Sequence, residues 1–317
     1  MITTFRPEGT YIDPAALMVG PDDNIWFLSG LGNQTGYVTP QGEIRIIDAP
    51  TGPSESLRPG FSSFANGPDG NVWVTNIVNG RIGRVSPSGA VTTFTVPGGV
   101  SDSVFRGPTE ITAGGDGNLW FAAGAGFGAI GRVTPNGDIS TFPRGDSYPC
   151  REPANPNCGR IVELTDGPDG NVWFVTDWQD QIRRITPDGE TAAFQSPDVR
   201  GPRDLIRGPD GNLWFTSLPN RIGRITPEGN VNTFAAPRGT VENPSDLTVG
   251  PDGNLWFTSR NTKRIGRMTL DGSFTTFRTQ FGGPDDLAAG PDGNLWFTTQ
   301  FSNRIGRITP AGEITYF

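Results

Sequence analysis

The chain has 317 residues and a formal net charge of −8, and Lys263 is its only lysine. Its 25 basic residues form no block, which argues against nucleic acid or an anionic membrane as a partner, because phosphate binding needs clustered Lys and Arg. No apolar run reaches the length that spans a bilayer, and the first residues lack a basic-then-apolar signal. We therefore expect a cytoplasmic, monomeric protein that contacts neither nucleic acid nor a membrane.

The chain begins with a short strand-like phrase, Ile2–Phe5, and then repeats one motif seven times, the best copies reading Gly-Pro-Asp-Gly-Asn-Leu-Trp-Phe. The motif tryptophans are Trp26, Trp73, Trp120, Trp173, Trp214, Trp256 and Trp296, spaced 47, 47, 53, 41, 42 and 40 residues apart. A period in the forties that is rich in strand formers and turn residues is typical of propeller blades. The sequence predicts an all-β fold in which residues 1–317 form a single seven-bladed β-propeller domain.

Each repeat reads as four antiparallel strands, most clearly in repeat six. There the predicted strands are 246–249, 254–258, 264–268 and 274–277, separated by turns that contain Gly, Pro or Asp. We expect the Trp and Phe of the second strand to fill the wedge between neighbouring blades. The arginines of the third strand are expected to bind carbonyls of the adjacent blade or the acidic turns.

The two termini carry the same kind of outer-strand phrase. The last repeat ends in 313–317, so with Ile2–Phe5 the chain has eight such phrases for seven blades. We expect the N-terminal strand to lie in or against the last blade, beside the C-terminal strand.

The longest blade-to-blade crossings, residues 48–61, 95–108 and 143–161, all belong to the first four blades. Insertions in a repeat protein gather on one face, which is often the binding face. Residues there with no role in the repeat are candidates for binding a small molecule in an axial pocket: Phe105, Tyr148, Arg160, Trp178, Arg203 and Phe301. The alternative is that the aromatic residues of these loops, Phe281 among them, pack the loops onto the blades.

The longest crossing also contains both cysteines, Cys150 and Cys158. A disulfide between them would close that loop, but two free thiols are the expected state in a reducing cytosol.

Acidic residues recur at the start of the first strand, four residues before the turn motif. Five repeats carry one there, and these are the candidate catalytic acids: Glu110, Glu163, Asp204, Asp246 and Asp286. Ala16 and Ser63 take the position in the first two repeats. So many acids near one axis would repel each other. Either each accepts backbone N–H bonds from the next blade, or they bind an axial Mg²⁺ or Ca²⁺, or one carboxyl has a raised pKa.

The paired phrases 250–258 and 303–310 resemble those of the streptogramin B lyase (virginiamycin B lyase) family. The resemblance covers essentially the whole chain and implies a seven-bladed propeller that opens a cyclic depsipeptide by elimination, using Mg²⁺ with histidine and glutamate. The positions that match the family histidines hold Thr109, Arg203, Ser245 and Asp285, and the chain contains no histidine. The position that matches the family glutamate holds Ser29, Asn76, Ala123, Thr176, Ser217, Ser259 and Thr299. Streptogramin lyase activity is therefore not expected, and no side chain of the sequence has an ordinary pKa near neutral pH.

Three classes of function remain. The first, which we favour, is an enzyme without a required cofactor that cyclises, isomerises or eliminates from a largely apolar secondary metabolite, with the acids above as catalytic groups and Arg160 and Arg203 as anion stabilisers. The second is a non-catalytic propeller that binds a small ligand or a protein. The third is a scaffold with an axial metal ion. The uneven distribution of long crossings favours one asymmetric small molecule.

Overall fold

The computed structural model describes residues 14–29, 34–39, 41, 43–48, 61–77, 80–97, 107–123, 129–143, 161–176, 179–299 and 305–316. Across these residues the secondary structure consists of strands and turns without a helix, which confirms the all-β prediction. Consequently, no helix long and apolar enough to cross a membrane is found in this part of the chain.

The strands form seven four-stranded antiparallel sheets, one for each repeat, and we call them blades one to seven. Blades one to four comprise β1 Pro14–Val19, β2 Ile25–Ser29, β3 Gln34–Val38, β4 Ile44–Asp48, β5 Phe61–Asn66, β6 Val72–Asn76, β7 Arg81–Val85, β8 Val91–Thr95, β9 Ile111–Ala113, β10 Leu119–Ala123, β11 Ala129–Val133, β12 Ile139–Pro143, β13 Ile161–Asp166, β14 Val172–Thr176, β15 Gln181–Ile185 and β16 Thr191–Gln195. Blades five to seven comprise β17 Leu205–Arg207, β18 Leu213–Ser217, β19 Arg221–Ile225, β20 Val231–Ala235, β21 Leu247–Val249, β22 Leu255–Ser259, β23 Arg264–Met268, β24 Phe274–Arg278, β25 Pro284–Ala289, β26 Leu295–Thr299, β27 Ile305–Ile308 and β28 Ile314–Tyr316. These are the blades of a seven-bladed β-propeller, as predicted.

The chain separates into two compact units, and the division passes through blade four. The first unit contains Met1–Asp166, Gly170–Val172 and Ile185–Thr191, and within it β9 lies beside both β5 and β13. The second contains Gly167–Asp169, Trp173–Arg184 and Ala192–Phe317, and within it β21 lies beside both β17 and β25. In each unit, therefore, neighbouring blades place their first strands side by side.

The repeated motif folds because its polar residues satisfy one another at the first turn of each blade. In blade five, the Trp214 indole N–H donates to Asp210 at 3.0 Å and the Asn212 amide donates to the same carboxylate at 2.7 Å. Burial alone would raise the pKa of Asp210, but these hydrogen bonds outweigh it and lower the pKa. Arg224, directly opposite Trp214 in the strand register, stacks 5.6 Å from the indole centroid.

The third-strand arginines link blades in the manner expected from the sequence. Arg84 donates to the carbonyl of Pro135 in the next blade at 2.7 Å, and Arg267 donates to the carbonyl of Pro310 at 2.8 Å. Arg267 also lies 3.6 Å from the turn residue Asp252. Both predicted kinds of partner, carbonyl and acidic turn, are thus present at one side chain.

The motif aromatics fill the wedge between blades, also as predicted. Between blades five and six, Trp214 and Ile222 pack against Leu255 and Phe257. Six of the seven motif tryptophans are fully buried, whereas Trp296 of blade seven is only partly buried.

Blade seven also exposes an isoleucine of its third strand. Its Ile305 is 51% exposed, whereas the counterpart Ile265 in blade six is fully buried. The N-terminal phrase Ile2–Phe5, which we expect in or against this blade, lies outside the described residues.

Candidate acid site on blades five to seven

In blades two, five and six, a buried threonine in the second strand fixes the start of the first strand against the next blade. In blade six, the Thr258 hydroxyl accepts the backbone N–H of Asp246 at 3.2 Å and donates to the carbonyl of Asp285 in blade seven at 3.0 Å. The equivalent pairs of bonds join Thr216 to Asp204 and Ser245, and Thr75 to Ser63 and Thr109. The threonine therefore positions the acidic residue of its own blade and the residue that precedes the acidic position in the next.

Two of the predicted acids bridge neighbouring first strands. The Asp204 carboxylate accepts the backbone N–H of Leu205 at 2.8 Å and, across the junction, that of Leu247 at 2.6 Å. The Asp246 carboxylate accepts the N–H of Leu287 at 2.5 Å in the same way. Leu247 directly follows Asp246, so the two carboxylates lie close together. For these two acids, the hydrogen-bonding alternative drawn from the sequence is confirmed.

Burial of this pair raises the pKa of both carboxyls. Loss of water is the largest cause and raises the pKa of Asp204 to about 6, although its two backbone N–H bonds oppose the effect. Loss of water, followed by the nearby charge of Asp204, raises the pKa of Asp246 to about 8 against the opposing bond from Leu287. Because the charge of one group acts on the other, their loss of protons belongs to the two groups together, and we call Asp204 and Asp246 the acid pair.

This result agrees with one of the alternatives drawn from the sequence, a raised carboxyl pKa among the clustered acids. The chain has no histidine, whose ordinary pKa lies near neutral. Burial beside a second carboxylate moves the aspartates of this acid pair into the range that histidine ordinarily occupies. A carboxyl group with such a pKa can donate a proton in one step and accept one in the next.

The acid pair is bordered by exposed charged side chains of the same unit. Asp286, the third predicted acid, is exposed, and its charge adds a smaller upward contribution to the pKa of Asp246. Its neighbour Asp285 forms an ion pair with Arg260. Arg203 is exposed and is anchored through its backbone N–H, which donates to the Thr216 carbonyl at 3.3 Å. The structure therefore brings four sequence-predicted site residues to the starts of the first strands of three consecutive blades: Arg203, Asp204, Asp246 and Asp286.

The remaining predicted acids, Glu110 and Glu163, belong to the first unit. Both are partly buried at the starts of the adjacent strands β9 and β13. Glu163 accepts the backbone N–H of Leu164 at 3.1 Å, a local bond like the one between Asp204 and Leu205.

Five of the predicted binding residues lie outside the described residues: Phe105, Tyr148, Arg160, Trp178 and Phe301. Cys150 and Cys158 also lie outside them, so the predictions for all seven stay predictions. Phe281 is described, and its ring meets Tyr316 edge-on at 5.0 Å while Gln280 N–H donates to the Tyr316 hydroxyl at 2.8 Å. Phe281 thus packs its loop onto the outer strand of blade seven, which was the alternative to a pocket wall.

The described carboxylates do not form a metal site. No group of three or more acidic or cysteine side chains within the described ranges has the arrangement needed to hold an ion. Each oxygen of Asp204 already accepts one backbone N–H bond. The predicted axial Mg²⁺ or Ca²⁺ therefore has no ligand set among these residues, and we assign it no chemical step.

The sequence reasoning identified the acids but missed the threonines that position them. Thr216 and Thr258 are fully buried, and each lies two positions after the motif tryptophan. The signal in the sequence is the recurrence of Trp-Phe-Thr in consecutive repeats, which predicts a second strand but does not show which groups the threonine hydroxyl binds.

Comparison with known proteins agrees with this architecture and names the family. The chain matches the virginiamycin B lyase family over residues 1–152 and 148–317. The chain belongs to the virginiamycin B lyase family. The resemblance recognised in its repeated phrases is thereby confirmed, while no curated protein sequence matches it.

Two solved members of the virginiamycin B lyase family illustrate the relationship. The enzyme from Staphylococcus aureus is 30% identical, with a TM-score of 0.67, over 81% of this chain and 84% of the enzyme. A catalytically inactive histidine-to-alanine variant of the S. aureus enzyme, determined with quinupristin, is 29% identical over the same shares of both chains, with a TM-score of 0.67. Hydrazine synthase from Kuenenia stuttgartiensis, at 16% identity and a TM-score of 0.67 over 97% of this chain and all of that one, shares the fold alone.

Proposed function

We propose that this member of the virginiamycin B lyase family is a histidine-independent enzyme that acts on a small, largely apolar metabolite, with Asp204 and Asp246 as its acid–base pair. The observation that carries the proposal is the position of these two carboxyls, joined through Leu247 and both with raised pKa values. A histidine-to-alanine variant of the S. aureus relative is catalytically inactive, and this chain contains no histidine at all. A different proton-transfer group is therefore required, and the acid pair supplies one.

The pair is suited to elimination or isomerisation. In an elimination, the ionised carboxylate takes a proton from carbon while the neutral carboxyl gives one to the departing oxygen. One C–H bond and one C–O bond break, and a C=C bond and an O–H bond form. The carboxylate that was ionised ends with the proton taken from carbon, and the carboxyl that was neutral ends ionised. Opening a ring in this way yields a product of unchanged mass. Arg203, exposed beside the pair, is placed to stabilise negative charge that develops on the substrate.

The test compares Asp246→Asn with Asp188→Asn. The amide oxygen of asparagine can still accept the N–H of Leu287, so the junction between blades is retained while the acid is lost. Asp188 is an exposed turn residue of blade four and serves as the matched control. Each protein is incubated with small-molecule extract of the source cells, and chromatography with mass spectrometry identifies any compound that is consumed.

We expect the unmodified protein and Asp188→Asn to convert a compound into an isomer, and Asp246→Asn to do so at least roughly 100-fold more slowly. Equal conversion by all three proteins would remove Asp246 from the catalytic role. Purified quinupristin is a further substrate to assay, and we expect no ring-opened isomer to form from it because the chain lacks histidine.

A non-catalytic binding propeller is the second candidate. It is favoured by the hydrogen bonds that both oxygens of Asp204 accept, since these serve the packing of blades whether or not chemistry takes place. Recovery of one bound compound with unchanged structure and no consumed compound would decide for this function.

A further inference from the structure

Blade three is built differently from blade six at the point where the threonine link should be. Ala122, 4% exposed, occupies the position of Thr258. Thr109 occupies the position of Ser245, whose hydroxyl lies 2.8 Å from that of Thr258. Because alanine offers no hydroxyl, the Thr109 side chain has lost its counterpart. Its oxygen has no hydrogen-bond partner, although the residue is only 5% exposed.

Blade four also lacks the threonine, yet it has no unpaired hydroxyl at this point. There Val175 takes the threonine position, and the residue before the acidic position is Val162. Both are apolar, so no side-chain hydroxyl needs a partner. Blade three combines a buried hydroxyl with a small apolar residue, and a buried polar group of this kind is almost always satisfied by some partner.

The hydrogen bonds of blade six define what a partner at this point would meet. The Thr258 hydroxyl contacts three groups: the Ser245 hydroxyl, the Asp246 N–H and the Asp285 carbonyl. The equivalent groups in the first unit are the Thr109 hydroxyl, the Glu110 N–H and the Val162 carbonyl. The hydroxyl and the carbonyl can accept a hydrogen bond, and the N–H group is a donor.

We propose that one ordered water molecule binds beside Ala122, at the position that the threonine hydroxyl takes in blade six. Water has two hydrogens and free lone pairs, so it can donate to the Val162 carbonyl and form a second hydrogen bond with the Thr109 hydroxyl. Replacing threonine by alanine removes a methyl and a hydroxyl group, which is close to the volume of one water, about 30 Å³. Three polar partners are the usual number for a buried water. An ion would need charged ligands, and none of these three groups is charged.

Two substitutions of equal shape test the proposal in the full chain. Ala122→Thr replaces the water with a hydroxyl that can make the same bonds, whereas Ala122→Val fills the same space without one. Displacing an ordered water with a group that cannot reproduce its bonds is unfavourable. We expect Ala122→Thr to melt at or above the temperature of the unmodified protein, and Ala122→Val to melt roughly 2–4 °C lower than Ala122→Thr.

The reverse exchange in blade six is the matched control. Thr258→Ala opens an equivalent gap beside Ser245, into which water can enter, while Thr258→Val fills it with a methyl group. We expect Thr258→Ala to be the more stable of the two, although alanine leaves the larger gap.

If the space beside Ala122 held no water, the order of the two melting temperatures would be reversed. If Ala122→Val melted at or above Ala122→Thr, filling the space would matter more than satisfying the hydroxyl, and the water site would be wrong. A crystal structure at high resolution gives an independent answer: we expect a water within hydrogen-bonding distance of the Thr109 hydroxyl. A protein group bonded to that hydroxyl instead would overturn the proposal.

Discussion

Two junctions between blades can be compared: the one between blades five and six, and the one between blades two and three. In both, a threonine at the same position of the repeat joins the two first strands, but only at the first junction does the earlier of the two blades have an acidic residue beside it. At the former, Thr216 binds the backbone of Asp204 and of Ser245, and the Asp204 carboxylate adds a bond to Leu247. At the latter, Thr75 makes the equivalent bonds, but Ser63 holds the acidic position. Blades two and three thus pack without a carboxylate on the first of them.

This difference indicates that the acids are not needed to hold blades together. A carboxylate at this position gains one backbone hydrogen bond, but it is removed from water and placed beside another negative charge. Serine avoids both costs. That blades five and six nevertheless carry Asp204 and Asp246 favours a chemical role for the pair over a purely structural one.

The comparison indicates that the threonine contributes more than the acidic residue to holding neighbouring blades together, and the substitution Thr216→Ala tests this. The change removes the hydroxyl that binds the Asp204 N–H and the Ser245 carbonyl, and a water entering the gap would restore these bonds only in part. We expect a loss of about 3 kcal/mol in the free energy of unfolding, measured by urea denaturation. The exposed Thr275→Ala in blade six is the control and should change stability by less than about 0.5 kcal/mol. Equal effects of the two would mean that the threonine link is not what joins the blades.

Most of the fold could be predicted from the sequence because the same pattern of residues occurs in all seven repeats. The turn aspartates, the arginines of the third strand and the wedge-filling aromatics each recur at fixed offsets, so one repeat explains the others. The raised pKa values of the acid pair could not be predicted in this way. They depend on how deeply Asp204 and Asp246 are buried and on their proximity across a junction, and spacing along the chain contains neither quantity. The unpaired hydroxyl of Thr109 arises likewise from a contact with residue 122, which a strand pattern does not reveal.

If burying the charges of Asp204 and Asp246 destabilises the folded protein, the free energy of unfolding should depend on pH. Each aspartate ionises at an ordinary pKa of 3.8 in the unfolded chain but at a raised pKa in the folded protein. Between these values the folded state binds more protons, so its stability is highest near pH 4 and falls as the pH rises through about 8. We expect a loss of more than about 2 kcal/mol between pH 5 and pH 9, measured by urea unfolding.

The substitution Asp246→Asn should flatten this profile, because it removes one member of the pair and the charge that acts on the other. Asp188→Asn, which lies apart from the pair on a turn of blade four, should leave the profile unchanged. A profile equally steep in all three proteins would place the responsible group elsewhere.

Moving the acid into blade two sharpens the comparison further. Ser63→Asp places a carboxylate where, by analogy with Asp204, it can accept the N–H of Ile111 and lies near Glu110. We expect this variant to be about 1 kcal/mol less stable than Ser63→Asn at pH 8, since asparagine offers a similar acceptor without the charge. At pH 5 the difference should shrink as the new carboxyl takes up a proton. A stabilising effect of the carboxylate at pH 8 would show that such acids do strengthen the junctions.

The smallest expected effect is that of metal ions, and it separates the acid pair from a cation site. Because the described carboxylates provide no group of three metal ligands, and because backbone N–H groups already occupy both oxygens of Asp204, we expect EDTA to change the melting temperature by less than about 1 °C. Adding millimolar Mg²⁺ or Ca²⁺ to the EDTA-treated protein should have as little effect, at pH 6 and at pH 8. If Ca²⁺ instead raised the melting temperature by several degrees and Asp246→Asn abolished this rise, a bound cation would be what compensates for burying these charges. The acid pair would then be a ligand set, and the proton-transfer role would have to pass to another group.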